Sequence, residues 1–179
     1  FAQTDGDGNA IVDVTDVSIS TGTTTNSDFA HGVYAQANLE GDATVNLTRT
    51  SITTNGANAI GGIADVTDVM SKGDAMITMT DGSIDTAGVE SRGLFARNDG
   101  LGNATVVLNG AGTITTLGDD SYGLHAKIRN ANSTGIVAIT MNDGVVTTAL
   151  ADGIRAETNG TGTYDVNMNG GMVVSGSGS

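Results

Sequence analysis

The sequence predicts an all-β chain wound as a parallel β-helix, a solenoid with three strands per coil and about six coils. Three observations carry that expectation. A phrase of glycine, usually an aliphatic residue, a large residue and alanine recurs at a nearly constant interval. The runs between the phrases alternate apolar and polar residues, the period of a half-buried strand. No run shows the 3.6-residue stripe of an amphipathic helix.

The phrase reads Gly32-Val33-Tyr34-Ala35, Gly61-Gly62-Ile63-Ala64, Gly93-Leu94-Phe95-Ala96, Gly123-Leu124-His125-Ala126 and Gly153-Ile154-Arg155-Ala156. Its leading glycines step by 29 (32 to 61), 32 (61 to 93), 30 (93 to 123) and 30 (123 to 153). Phe1-Ala2-Gln3 matches Tyr34-Ala35-Gln36, so the chain opens partway through a further copy. The copies fall approximately at 1–31, 32–60, 61–92, 93–122, 123–152 and 153–179, one quasi-linear unit in which each repeat packs on its neighbours. That start, with the closing Ser-Gly-Ser-Gly-Ser, is expected of a segment of a longer chain.

Within each copy the phrase is the first strand. The second is an alternating run: Ala43-Thr44-Val45-Asn46-Leu47-Thr48, Ala75-Met76-Ile77-Thr78-Met79-Thr80, Ala104 to Asn109, Val137 to Asn142 and Tyr164 to Asn169. The third is short and Thr-rich, as in Ser51-Ile52-Thr53-Thr54, Ser83-Ile84-Asp85-Thr86, Thr113-Ile114-Thr115-Thr116 and Val145-Val146-Thr147-Thr148. Asp81-Gly82, Asn109-Gly110, Asp143-Gly144 and Asn169-Gly170 separate the second and third strands, residues that tolerate the positive φ of a tight corner.

Stacking equivalent positions gives three inward columns. One is Ile19, Ile52, Ile84, Ile114 and Val146; another is Val14, Leu47, Met79, Leu108, Met141 and Met168. The third is Ala2, Ala35, Ala64, Ala96, Ala126 and Ala156. Extra residues at 20–30, 65–74 and 127–135 read as loops leaving the coil, where solenoids most often carry specificity, although neutral length variation at a surface corner explains them more simply.

Composition narrows the function. The chain of 179 residues holds 7 Lys and Arg against 20 Asp and Glu, for a formal charge of −13, so nucleic acid is not an expected partner. Without Cys there is no disulfide, thiolate metal site or Cys nucleophile. A protein that crosses a membrane unfolded would benefit from that absence. No apolar run is long enough to insert in a membrane as a helix.

The large third residue of the phrase points away from the alanine face. Phe1, Tyr34, Ile63, Phe95, His125 and Arg155 therefore form an outward row, beside Gln3, Gln36, Asp65, Arg97, Lys127 and Glu157. Of these, Phe1, Tyr34, Phe95, His125, Arg155, Arg97 and Lys127 are the candidate ligand-binding residues, an exposed aromatic strip with polar neighbours suited to a glycan or a protein partner. Cross-strand stacking that merely stabilises the sheet explains the same row.

Other candidates are weaker. Asp5, Asp7 and Asn9 resemble the oxygen-rich start of a calcium loop, the only metal candidate, although an Asp/Gly turn accounts for them and no downstream bidentate Glu follows. His125, Lys127, Arg129 and Arg155, with Asp119, Asp120 and Asp152 in register, are the nearest thing to a catalytic cluster. Surface charge explains it more simply, and no catalytic residue is assigned. His31 stands isolated. Threonine runs such as Thr23-Thr24-Thr25 and pairs such as Thr53-Thr54 and Thr115-Thr116 are too irregular for an ice-binding array.

His31-Gly32-Val33-Tyr34-Ala35-Gln36 and Ser121-Tyr122-Gly123-Leu124-His125-Ala126, each followed by a Val-rich strand and Ile-Thr-Thr, resemble bacterial autotransporter passenger domains across all six copies. The resemblance implies a right-handed, three-sided parallel β-helix, exported through a C-terminal outer-membrane barrel to the bacterial cell surface or the extracellular space. It implies architecture more than activity, since passengers include adhesins, proteases and toxins.

The expected function is a non-enzymatic elongated scaffold or adhesin segment of a secreted bacterial protein. Its partners would be a host or neighbouring-cell surface glycan or protein, or further copies of itself, with no resident cofactor. The alternatives are a carbohydrate-active β-helix, a lyase or hydrolase shaped like a tailspike, and a subunit of an extracellular filament that pairs through open coil ends.

Overall fold

A computed structural model of the chain describes residues 1–22 and 27–176. The Thr23-Thr24-Thr25 run and the end of the Ser-Gly-Ser-Gly-Ser tail, 177–179, lie outside the described residues. Among the described residues all regular structure is β-strand. The first coil holds β1 (Ala2–Thr4), β2 (Ala10–Thr15) and β3 (Ser18–Thr21). The second holds β4 (Val33–Ala37) and β5 (Ala43–Thr54), the third β6 (Gly62–Val66) and β7 (Ala75–Thr86). Next come β8 (Leu94–Asn98), β9 (Ala104–Asn109) and β10 (Thr113–Asp119), then β11 (Leu124–Ile128), β12 (Val137–Met141) and β13 (Val145–Leu150). The last coil holds β14 (Ile154–Thr158), β15 (Tyr164–Met168) and β16 (Met172–Ser175).

Every pairing is parallel and joins one coil to the next, so the chain is a β-solenoid of about five turns. The first face stacks β1-β4-β6-β8-β11-β14 as a sheet of its own. The second face stacks β2, β5, β7, β9, β12 and β15; the third stacks β3, β5, β7, β10, β13 and β16. β5 and β7 belong to both, because the second and third runs of those coils are one continuous strand. The sequence reading separated them at a corner. The strand bends there at Arg49 (φ 48°) in β5 and at Asp81 and Gly82 (φ 58° and 92°) in β7, while pairing continues on both sides. Gly110 and Gly144 take the same conformation in the later coils; Gly171, not Gly170, does so in the last.

The predicted columns are in register. Ala35, Ala64, Ala96 and Ala126 pair in line and are fully buried, as are Ile52 and Ile84, and Met79 with Leu108 and Met141. The same columns emerge half-buried or exposed at the terminal coils, at Val14, Ile19 and Met168. Burying one such Ile or Leu contributes roughly 1.5–3 kcal/mol, so the interior coils hold the outer ones in place.

Two ladders of side-chain hydrogen bonds, neither read from the sequence, close the corners. The residue two after the inward aliphatic of each third-face strand also points inward, and in the first five coils it is a Thr. Thr21, Thr54, Thr86 and Thr148 each donate to the carbonyl two residues before the next leading glycine, Ala30, Ala59, Ser91 and Ala151, at 2.5 Å, and Thr116 donates to Ser121. At the corner between the first and second faces, Asn9 Oδ1 accepts the N–H of Asp42, Asp42 Oδ1 that of Asp74, and Asp74 Oδ1 that of Asn103. Asn103 Oδ1 then accepts the N–H of Ile136. Each coil is thereby tied to the next where no strand runs.

The extra residues of the third and fifth coils lie at 67–74 and 129–136, since Asp65-Val66 and Lys127-Ile128 remain in strands. These two long corners flank the shorter 99–103 and meet across it: Asn130 Nδ2 donates to the carbonyl of Val69 at 2.7 Å. No helix of the described residues is long and apolar enough to cross a membrane.

Candidate functional site

The outer surface of the first face gathers the chain's unusual side chains. Of six aromatic residues, Phe1, Phe29, Tyr34, Phe95 and Tyr122 lie on it or at its leading corner; only Tyr164 does not. Both histidines join them, with five of the seven cations, Arg92, Arg97, Lys127, Arg129 and Arg155.

The surface is built as parallel rows. In the strand phrase, Tyr34, Ile63, Phe95, His125 and Arg155 stack in register, alternating with the inward alanines. A second row is formed by the residue before each leading glycine: His31, Ile60, Arg92, Tyr122 and Asp152. Within each coil the two rows meet. His31 packs edge-on to Tyr34 with ring centroids 5.5 Å apart, and Ile60 clusters with Ile63. The Arg92 guanidinium lies 4.9 Å over the Phe95 ring, Tyr122 meets His125 edge-on at 5.0 Å, and Asp152 pairs with Arg155 at 3.5 Å. The glycine between the rows leaves the bend no side chain of its own.

This second row covers the first, which corrects the expectation of an exposed aromatic strip. Ile63, Phe95 and His125 are only 4%, 5% and 1% exposed although they face outward. Phe1, at 74%, is exposed and meets half-buried Tyr34 at a tilt, with ring centroids 5.2 Å apart. Phe95 and His125 stack at 4.6 Å with their planes 19° apart. Nor is His31 isolated: its Nδ1 accepts the N–H of Ile60.

Charges occupy the third row. Asp65, fully buried, accepts from both Nε and Nη2 of Arg97, at 2.7 and 2.5 Å, and from the Tyr34 hydroxyl at 2.8 Å. Burial opposes the charge on Arg97, yet the Asp65 carboxylate holds its pKa above the ordinary value. Burial, then the Asp65 charge, raises that of Tyr34. Lys127 and Arg155 both bind Glu157, and these hydrogen bonds overcome its burial and hold its pKa at about 2. Asp99 is reached by Arg129 at 3.3 Å; burial raises its pKa.

His125 accepts a hydrogen bond on Nδ1 from Nε of Arg92, 3.0 Å away. Burial, and then the Arg92 charge, push its pKa down to about 3, so the ring is neutral with its proton on Nε2, 3.6 Å from Glu157.

The groups read as a possible catalytic cluster are only partly brought together. His125, Lys127 and Arg155 converge on Glu157, and Arg129 turns to Asp99. Asp119 and Asp120 are exposed at the corner, where Asp120 accepts from the Tyr122 hydroxyl. The calcium candidates sit at another corner: Asp5 accepts from Gln3 and Asn38, while Asn9 serves the corner ladder. No cluster of three metal-binding side chains occurs among the described residues.

Beside the rows lie two clefts. One, of about 150 Å³, is lined by Phe29, His31, Tyr34, Ile63 and Phe95 together with Asp65, Arg92 and Arg97. The other, about 320 Å³, shares Asn58, Arg92, Phe95 and Arg97 and runs on to Lys127 and Arg129. Arg92, Phe29 and Asn58 were not singled out in the sequence. The signal was there for Arg92: it occupies the position before the glycine, in phase with the row that was.

Comparison with protein-family models, with curated proteins and with solved structures gives no match for this chain.

Proposed function

We propose that the chain is a length of non-enzymatic, elongated surface scaffold, an adhesin segment of a secreted bacterial protein of the autotransporter type, with recognition confined to its first face. One observation carries the reading. In a chain of formal charge −13, five of seven cations and five of six aromatic residues gather on one side of one sheet. A structural solenoid has no need of that asymmetry, since the corner ladders and inward columns already hold the coils. The carboxylates on this face, Asp65, Asp99 and Glu157, are taken up by cations, which argues against a pair free for acid and base work. The autotransporter-like phrases and the absence of Cys favour a surface location.

The test is retention on a panel of immobilised surface polysaccharides and proteins, run beside reducing-sugar and unsaturated-product assays. Retention without turnover is expected, lost when Arg92, Lys127 and Arg129 are together changed to Gln. Turnover abolished by Asp119→Ala or Lys127→Ala would make the chain a carbohydrate-active enzyme instead.

A further inference from the structure

We propose that the two joined clefts bind an acidic glycan, a sugar chain bearing ring carboxylates, and that Arg92 is its anion-binding residue. The inference rests on reading the first face as a recognition surface.

Arg92 is distinguished by what it lacks. Arg49, Arg97, Lys127, Arg129 and Arg155 each have a carboxylate within ion-pair distance, and Lys72 stands exposed in water. Arg92 is half-buried, and among the described residues no carboxylate pairs with it. Its Nε is committed to His125 and its Nη1 to the carbonyl of Glu90, which leaves Nη2 without an acceptor among the described residues. Glu90, Glu157 and Asp120 act on it only from beyond ion-pair distance, and a partly buried cation with no carboxylate in contact carries a desolvation cost that an arriving anion relieves. Burial is the first cause lowering its pKa, the signature of that cost. The guanidinium is also held in place before any ligand arrives, by the His125 bond and by the faces of Phe95 and Tyr122 at 4.9 and 5.7 Å.

The rest of the groove fits a sugar. Phe29, His31 and Tyr34 line the smaller cleft together with Arg92 and offer ring surfaces to a sugar, with Phe29 67% exposed, and Asn58 adds an amide for hydroxyls. The larger cleft runs on past Glu90 to Lys127 and Arg129, which are already paired with Glu157 and Asp99, so Arg92 is the cation left to take a ring carboxylate. An acidic peptide fits less well. It cannot add as a strand, because β6, β8 and β11 under this groove are paired on both sides, and would be held by side chains alone.

The experiment is a titration of the chain with a short oligogalacturonate, a neutral galactan of the same length and a poly-glutamate peptide. It is followed by the ¹⁵N–¹H signals of the Arg92 side chain and of the Ile60, Ile63 and Phe95 amides. The oligogalacturonate is expected to move these signals and the galactan to leave them. Arg92→Met, which keeps an apolar side chain beside Phe95, and Phe29→Gly, which removes an exposed lining ring at a left-handed position, should each weaken binding at least tenfold with folding intact by circular dichroism. Equal binding of the galactan or of poly-glutamate overturns the ligand class, and unchanged affinity in both variants overturns the site. If ligands from the panel are still lost when the three cations are changed together, the recognition surface stands without this assignment. If none is lost, the surface reading falls as well.

Discussion

The Nε–H of Arg92 donates to Nδ1 of His125 across 3.0 Å, joining two successive coils on the outside of the first face. Because arginine can only donate, the bond requires an unprotonated Nδ1 and fixes the histidine tautomer. Around it, Phe95 and Tyr122 are shared: each touches both members of the pair. The unit is therefore both a piece of outer-face packing and the support of the one half-buried cation on this face that has no carboxylate partner.

Its first consequence is a pH dependence. The folded-state pKa of His125, about 3, lies below the ordinary 6.5, so the unfolded chain takes up the proton first as pH falls. Stability from this group is whole above pH 6.5 and is lost progressively toward pH 3, by at most ~1.4 kcal/mol per pH unit for one proton. His31, lowered by burial, and Glu157, held at about 2, act in the same direction. Denaturation midpoints followed over this range should fall less steeply for His125→Phe than for the parent chain. Parallel curves would show that His125 is not neutral in the folded state.

A second expectation concerns the threonine ladder. Thr86 is buried and its hydroxyl donates to the Ser91 carbonyl at 2.5 Å. Thr86→Val keeps the shape and strands that acceptor, at a cost of about 1–3 kcal/mol. Thr53→Val, at an outward position of the same face, should change stability by less than ~0.5 kcal/mol. Comparable losses in urea denaturation would contradict an inward ladder.

The leading glycine offers a third measurement. A Cβ on Gly93 would lie 2.4 Å from Cγ2 of Ile114 and 2.7 Å from the carbonyl oxygen of Gly123, contacts that force the coil apart. Gly93→Ala should cost on the order of 1–3 kcal/mol. Gly6→Ala, with nothing within 4 Å of its added methyl, should be close to neutral. Thermal melts of both variants decide it; a silent Gly93→Ala would remove close approach as the reason for the repeated glycine.

Much of the molecule was legible because strand periodicity and repeat length are local properties. Once Ala35 faces inward, Tyr34 must face outward, and a step of about 30 residues places Ile63 and Phe95 above it. What the row would look like to solvent was not legible. Phe95 is covered by Arg92 from its own corner, and His125 by Tyr122 together with Arg92 from the coil before. Alternation turns Thr54 and Thr86 inward as well, two residues after Ile52 and Ile84, but only the corner geometry shows which carbonyls their hydroxyls meet.

By itself, then, the sequence determined the solenoid, its register and its inward columns, because alternation and spacing dictate which side chains stack and which way they point. The tertiary structure alone decided which outward residues stay exposed, which buried hydroxyls close the corners and which cation is left without a carboxylate. Those outcomes depend on neighbours supplied by other coils and corners, and no local pattern encodes the distance between them.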